Sequence, residues 1–139
     1  MTADGLDRFV SAQAPAFADA LAELAAGRKV GHWMWFVFPQ IAGLGLSDTA
    51  RRYAIADGEE ARRYLAHPLL GPRLAEAFDT TCRHAGERSA EAIFGPVDAM
   101  KFRSSATLFA VTGSAAAARA LNRFFAGEPD LKTLELLGA

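Results

Sequence analysis

His32-Trp33-Met34-Trp35-Phe36-Val37-Phe38-Pro39-Gln40 is the stretch that decides the fold. From His32 to Phe38 seven large side chains follow one another with no amphipathic period. Such a run suits a buried strand or a buried helix. A lone central strand needs partners, and the chain offers no convincing ones: valine and isoleucine are scarce and no long alternating run appears. The stretch is therefore expected to be a short helix, buried nearly all round and closed by Pro39. Gly43-Leu44-Gly45 then makes a turn, where two glycines free the backbone from Cβ constraints.

Helical signals continue in both directions. Upstream, Asp4 can cap a first short helix with an inner face of Leu6, Phe9 and Val10. Pro15 suits the first turn of a second, which carries Phe17, Ala20, Leu21 and Leu24 and stops at Gly27. Downstream, Ser47 reads as an N-cap, with Tyr53 and Ala54 turned inward. Asp57 caps the next helix, and Glu60 stands at capping-box spacing before Ala61, Tyr64 and Leu65. Pro68 starts a longer helix through Leu70, Leu74, Ala77, Phe78 and Thr81, ended by Gly86. Ser89 opens a short one with Ile93 and Phe94, stopped by Gly95. Pro96 begins another, Ser114 caps the next, and Asp130 caps the last, with Leu131, Leu134 and Leu137. The expected fold is all-α: a compact single domain over residues 1–139, eight or nine short helices around one core. None of these helices would be stable alone in water, so burial must hold them. Ten phenylalanines and two tryptophans are the main suppliers, at about 1.5–3 kcal/mol for each large side chain fully buried.

Composition excludes several classes. The chain has 139 residues, one domain's worth, and 15 Lys+Arg against 16 Asp+Glu give a formal net charge of -1. That balance makes no electrostatic case for binding nucleic acid or a membrane surface. The longest near-apolar run, residues 31–46, contains His32, Gln40, Pro39 and three glycines. It is too short and too broken to span a bilayer. The first ten residues do not read as a signal peptide. One cysteine cannot form an internal disulfide, so a cytoplasmic domain is expected.

Familiar catalytic motifs are missing. There is no phosphate-binding glycine loop, no strand–GxGxxG–helix unit, no HExxH and no GxSxG. His32, His67 and His84 lie far apart, and Cys82 and His84 fall on different faces of a helix. Neither a metal nor a cofactor is expected.

Two polar groupings stand out in apolar surroundings. The first flanks the tryptophan-rich stretch: Lys29, His32 and Gln40. A buried His32 or Gln40 must find an internal partner or face a cavity. Trp33 and Trp35, two residues apart, diverge on a helix, so one can pack inward while the other lines a cleft. The second is Asp98-Ala99-Met100-Lys101-Phe102-Arg103-Ser104-Ser105-Ala106-Thr107. Asp98, Lys101 and Ser105 share a helix face, and Asp98 can pair with Lys101. Three hydroxyls in four residues mid-helix are poor helix formers. They either bond back to carbonyls or floor a polar pocket.

These residues also carry a family likeness. Its pieces are Leu6-Asp7-Arg8-Phe9 with Ala12-Gln13; Glu23-Leu24 with Gly27 and Lys29; the whole block from His32 to Gln40; Gly43-Leu44-Gly45 with Ser47; and Tyr53-Ala54-Ile55. They continue through Glu60-Ala61, Tyr64-Leu65, His67-Pro68, Leu70-Gly71, Arg73-Leu74, Phe94-Gly95 with Asp98 and Lys101, Ser104-Ser105, Thr107-Leu108-Phe109 and Asp130 with Thr133-Leu134. The chain resembles, over nearly its whole length, a family of small bacterial and fungal proteins of unknown function often mislabelled "calpastatin". Calpain inhibitors of that kind are disordered, and this chain is not. The resemblance implies an all-helical single domain and no settled activity. Phe102-Arg103 departs from it, since the family usually has leucine after the lysine.

Two functional expectations follow. In one, a pocket between helices binds a nucleotide- or sugar-like small molecule and hydrolyses it. His32 or Asp98 would be the general base, Lys101 the anion clamp and a tryptophan the stacking platform, with Lys29, Trp33, Gln40, Ser104 and Ser105 completing the lining. In the other, the chain is a non-enzymatic binding or interaction module whose polar cluster is a closed structural network.

Overall fold

A computed structural model describes residues 5–138. Among these residues nine helices form: α1 (Asp7–Ala26), α2 (Met34–Val37), α3 (Asp48–Arg52), α4 (Gly58–Ala66), α5 (Leu70–Cys82), α6 (Ala90–Phe94), α7 (Pro96–Val111), α8 (Ala115–Phe125) and α9 (Leu131–Leu137). The fold is all-helical around one core, as expected. The described residues form no sheet; one isolated parallel bridge joins Ile41 to Ile55. No helix among them is long and apolar enough to cross a membrane.

Local chemistry explains most helix starts. Ser47, Asp57, Ser89, Ser114 and Asp130 each accept a hydrogen bond from the backbone N–H three residues on. Pro96 opens α7, where its missing N–H has no partner to lose. The cap assigned to Asp4 lies outside the described residues.

The beginning of the chain differs from expectation. Where two helices separated at Pro15 are predicted, α1 runs through the proline without a break. Pro15 and Ser11 are both exposed, so the Ser11 carbonyl released by the proline faces water. Meanwhile Phe9, Gln13, Ala20 and Leu24 make one buried stripe that spans the proline. Burial along that stripe outweighs the lost hydrogen bond. The helix ends at Gly27, whose φ of 76° is left-handed, and the Arg28 N–H donates to the Glu23 carbonyl.

Helix α7 is the spine, packed against α4, α6, α8 and α9, while α5 packs against α1, α4 and α8. Every residue from Ser104 to Phe109 is buried, so this stretch of the helix is enclosed on all sides, while Val97 and Met100 in its first turns are exposed. The aromatic centre is built on Phe38 and Phe102, whose rings meet edge to face at 5.0 Å. Phe38 also touches Trp33, Phe78 and Phe94, and Phe102 touches Phe78, Phe94, Phe124 and Phe125. The tryptophan-rich stretch is thus helical, but α2 is a single turn. Met34 and Val37 are buried while Trp35 and Phe36 are partly exposed, so the all-round burial expected of it is not found.

Candidate functional site

The site begins at the end of α1. Once Gly27 has turned the chain, one carboxylate oxygen of Glu23 accepts three hydrogen bonds: from the Val30 N–H at 2.7 Å, the Gly31 N–H at 2.8 Å and the Trp33 indole N–H at 2.9 Å. Burial alone would raise the pKa of Glu23. The bonds from Gly31, Val30 and Trp33, with the charge of Lys29, outweigh it and hold the carboxyl below its ordinary value. The Lys29 N–H also donates to the Ile93 carbonyl. These ties carry the Lys29 side chain into the interior.

There Lys29 meets the start of α7. Its ammonium lies 2.8 Å from Asp98, donates to the Gly31 carbonyl at 2.6 Å and sits 5.1 Å from the Trp33 ring centroid. The same carboxylate faces Lys101, at 3.4 Å. Lys101 in turn lies 4.7 Å from the ring centroid of Trp35. Two ammonium groups share one carboxylate, which leaves the triad one positive charge in excess. Exposure grades outward, from 8% for Lys29 to 25% for Lys101.

Lys101 opens onto a cleft of ≈ 500 Å³ between α2, the 40–47 loop, α3, α7 and the start of α9. Trp35, Leu44, Leu46, Val97 and Met100 form its apolar walls, and Gln40, Ser47, Lys101, Ser104, Asp130 and Lys132 its polar points. Leu46, Val97 and Met100 are unusually exposed for their type. Two ammonium groups against one carboxylate line this space.

The structure therefore divides the residues expected to form one pocket. Gln40, Lys101 and Ser104 line the cleft. Lys29 and Asp98 form an ion pair behind it. Trp33 is almost wholly buried, drawn inward by Glu23, and Trp35 is the tryptophan at the cleft. Ser105 is fully buried and its hydroxyl has no partner among the described residues. His32 is exposed and does not line the cleft: it precedes α2 on the turn pinned by Glu23, so the interior role expected of it is not realised. The hydroxyls of α7 mostly bond back along the helix. Ser104 donates to the Met100 carbonyl, and Thr107 donates to the Arg103 carbonyl while accepting from the Asp130 N–H. No group of three or more histidine, cysteine or acidic side chains among the described residues could hold a metal.

Two organising residues escaped the reading of the sequence. Glu23 is one. Gln13 is the other: it is buried, donates to the Phe36 carbonyl at 2.6 Å and to the Tyr64 hydroxyl at 3.1 Å, and so fixes the end of α2. Their only signal was a polar side chain on, or beside, the apolar stripe of α1.

Comparison with known proteins returns structure without activity. No curated protein matches the chain. A crystal structure of the conserved hypothetical protein Rv1873 from Mycobacterium tuberculosis is similar at a TM-score of 0.92 and 49% identity, covering 96% of each chain. A family model described as "Protein of unknown function (DUF1810)" matches residues 3–137. This chain belongs to the DUF1810 family.

Proposed function

We propose that the cleft binds a small anionic molecule that carries a ring, of nucleotide-like or sugar-phosphate-like chemistry. The observation that carries this reading is Lys101, held between the Trp35 ring and a carboxylate already shared with Lys29. Its charge is only half compensated, and it stands at an aromatic wall. A ring lying along the apolar walls would bring its acidic group to Lys101 and Lys132.

The arrangement favours binding over hydrolysis. A general base needs free access to a proton on the substrate. Asp98 is engaged by two ammonium groups, and His32 stands outside the cleft. The second reading, a purely structural cluster, draws on the burial of Lys29 and Ser105. It accounts for the inner half of the cluster and leaves the cleft unexplained. Cys82, alone and buried, suits the reducing cytoplasm.

The test is a thermal-shift screen of nucleotides and sugar phosphates, followed by titration of Trp35→Phe and Lys101→Ala. A stabilising ligand should act on the native protein and lose most of its effect in Lys101→Ala. No shift with any anionic ring compound, or one indifferent to Lys101→Ala, would rule the cleft out as the site.

A further inference from the structure

We infer that Gln40 is the specificity residue of this cleft and that it reads the edge of an adenine-like ring. The inference rests on the proposed binding of an anionic ring compound. Gln40 is partly buried and lines the cleft together with Trp35, five residues away along one short segment. Among the described residues its side-chain amide has no protein partner. Its main chain, by contrast, is firmly held. The Gln40 carbonyl accepts the Ile55 N–H at 2.8 Å, the Ala42 N–H donates to the Ile55 carbonyl at 2.8 Å, and buried Pro39 precedes it.

A fixed backbone carries an unpaired amide at the wall of the cleft, where it is available to pair with a ligand. A carboxamide offers one acceptor and two donors side by side. Its complement is a flat edge with an acceptor next to a donor, as adenine presents with a ring nitrogen and its exocyclic amine. A sugar hydroxyl needs no such planar pair. The apolar walls and Trp35 suit a heteroaromatic ring better than a bare sugar. The parts together describe an adenine nucleotide: ring against the apolar wall, edge at Gln40, phosphate at Lys101.

The experiment is isothermal titration calorimetry of the full chain with AMP, purine riboside 5′-monophosphate, which lacks the exocyclic amine, and ribose 5-phosphate. The wild type should bind AMP about tenfold more tightly than the purine analogue, the discrimination a bidentate amide pair provides. Ribose 5-phosphate should bind more weakly still. Gln40→Leu, checked for an unchanged melting curve, should bind both nucleotides equally. The comparison of ligands on the wild type stands even where the variant does not fold. Equal binding of the two nucleotides by the wild type, a preference kept by Gln40→Leu, or ribose 5-phosphate binding as tightly as AMP overturns the role of Gln40 and leaves the anion cleft standing. Absence of heat with all three ligands overturns both.

Discussion

The indole N–H of Trp33 and the backbone N–H groups of Val30 and Gly31 converge on a single carboxylate oxygen of Glu23, the indole at 2.9 Å. A charged acceptor at the end of the first helix thereby sets the turn that delivers Lys29 to Asp98 and Trp33 to the core. Glu23→Gln keeps an acceptor of the same size and removes its charge. Hydrogen bonds to charged groups contribute about 1.5–3 kcal/mol each and neutral ones about 1; solvent screening of the half-buried Glu23 favours the smallest difference for each of the three bonds, so we expect a loss of about 1.5–2 kcal/mol at neutral pH by chemical denaturation.

The same carboxylate makes a pH prediction. Its folded pKa is lowered, so its contribution is fully present above the unfolded-state value and is lost as pH falls through the folded-state value. The stability gap between wild type and Glu23→Gln should therefore be constant near neutrality and close in the acid range below pH ~4.3. A gap that widens on acidification would contradict this assignment.

Asp98 and Lys101 should differ sharply in their effect on stability. Removing Asp98's charge in Asp98→Asn leaves the Lys29 ammonium, only 8% exposed, without its carboxylate. Breaking a buried pair from one side costs about 3–5 kcal/mol, and the partial exposure of Asp98 puts this case near the lower figure. Lys101 is more exposed and sits on the outer side of the triad. Lys101→Met should cost about 1 kcal/mol or less while abolishing anion binding. Equal destabilisation by the two variants would mean that the triad is not graded from core to cleft.

Ser105 invites the opposite experiment. Its hydroxyl is fully buried with no hydrogen-bond partner among the described residues. Burying an unsatisfied polar group costs about 1–3 kcal/mol, and alanine removes that cost with little loss of volume. Ser105→Ala should raise the denaturation midpoint and leave ligand binding unchanged, since Ser105 does not line the cleft. A lower midpoint would show that the hydroxyl has a partner in solution.

What could be read in advance follows the range of the interactions. Ser47, Asp57, Ser89, Ser114 and Asp130 each act on a neighbour three residues away, and a pattern that local is written in the sequence itself. The continuity of α1 through Pro15 is not local, because it depends on which side of the helix the core occupies. Glu23 and Gln13 act on partners seven to sixty residues away, beyond what spacing reveals. The tryptophans show the boundary. Their two-residue offset shows that they diverge, while which one turns inward depends on the contacts of Trp33 with Glu23, Lys29 and Phe38, none of which the offset reveals. Polar residues of α7 were identified as a group, but their division between cleft, ion pair and back-bonding depends on how α2 and α9 cover that helix.

Two glycines separate a rescuable clash from one that is not. A Cβ on Gly71 would lie 2.2 Å from the Leu65 carbonyl oxygen, where α5 passes the end of α4. Backbone cannot swing aside as a side chain can. Gly71→Ala should therefore cost at least the ~3 kcal/mol at the upper end of overpacking, and no single neighbouring substitution should restore it. A Cβ on Gly45, at the floor of the 40–47 loop, would meet the Ala50 Cβ at 2.5 Å, while the Ala50 Cα stays 3.8 Å away. Here the obstacle is one methyl group. Gly45→Ala should cost about 1–3 kcal/mol and shift the cleft wall. Adding Ala50→Gly removes the methyl and recovers most of that, less the ~1 kcal/mol that glycine costs in a helix, so the pair should show a favourable coupling of about 1–2 kcal/mol in a double-mutant cycle. Additive losses would mean that the loop and α3 do not pack as closely as the structure describes, and the cleft between them would then have a different shape.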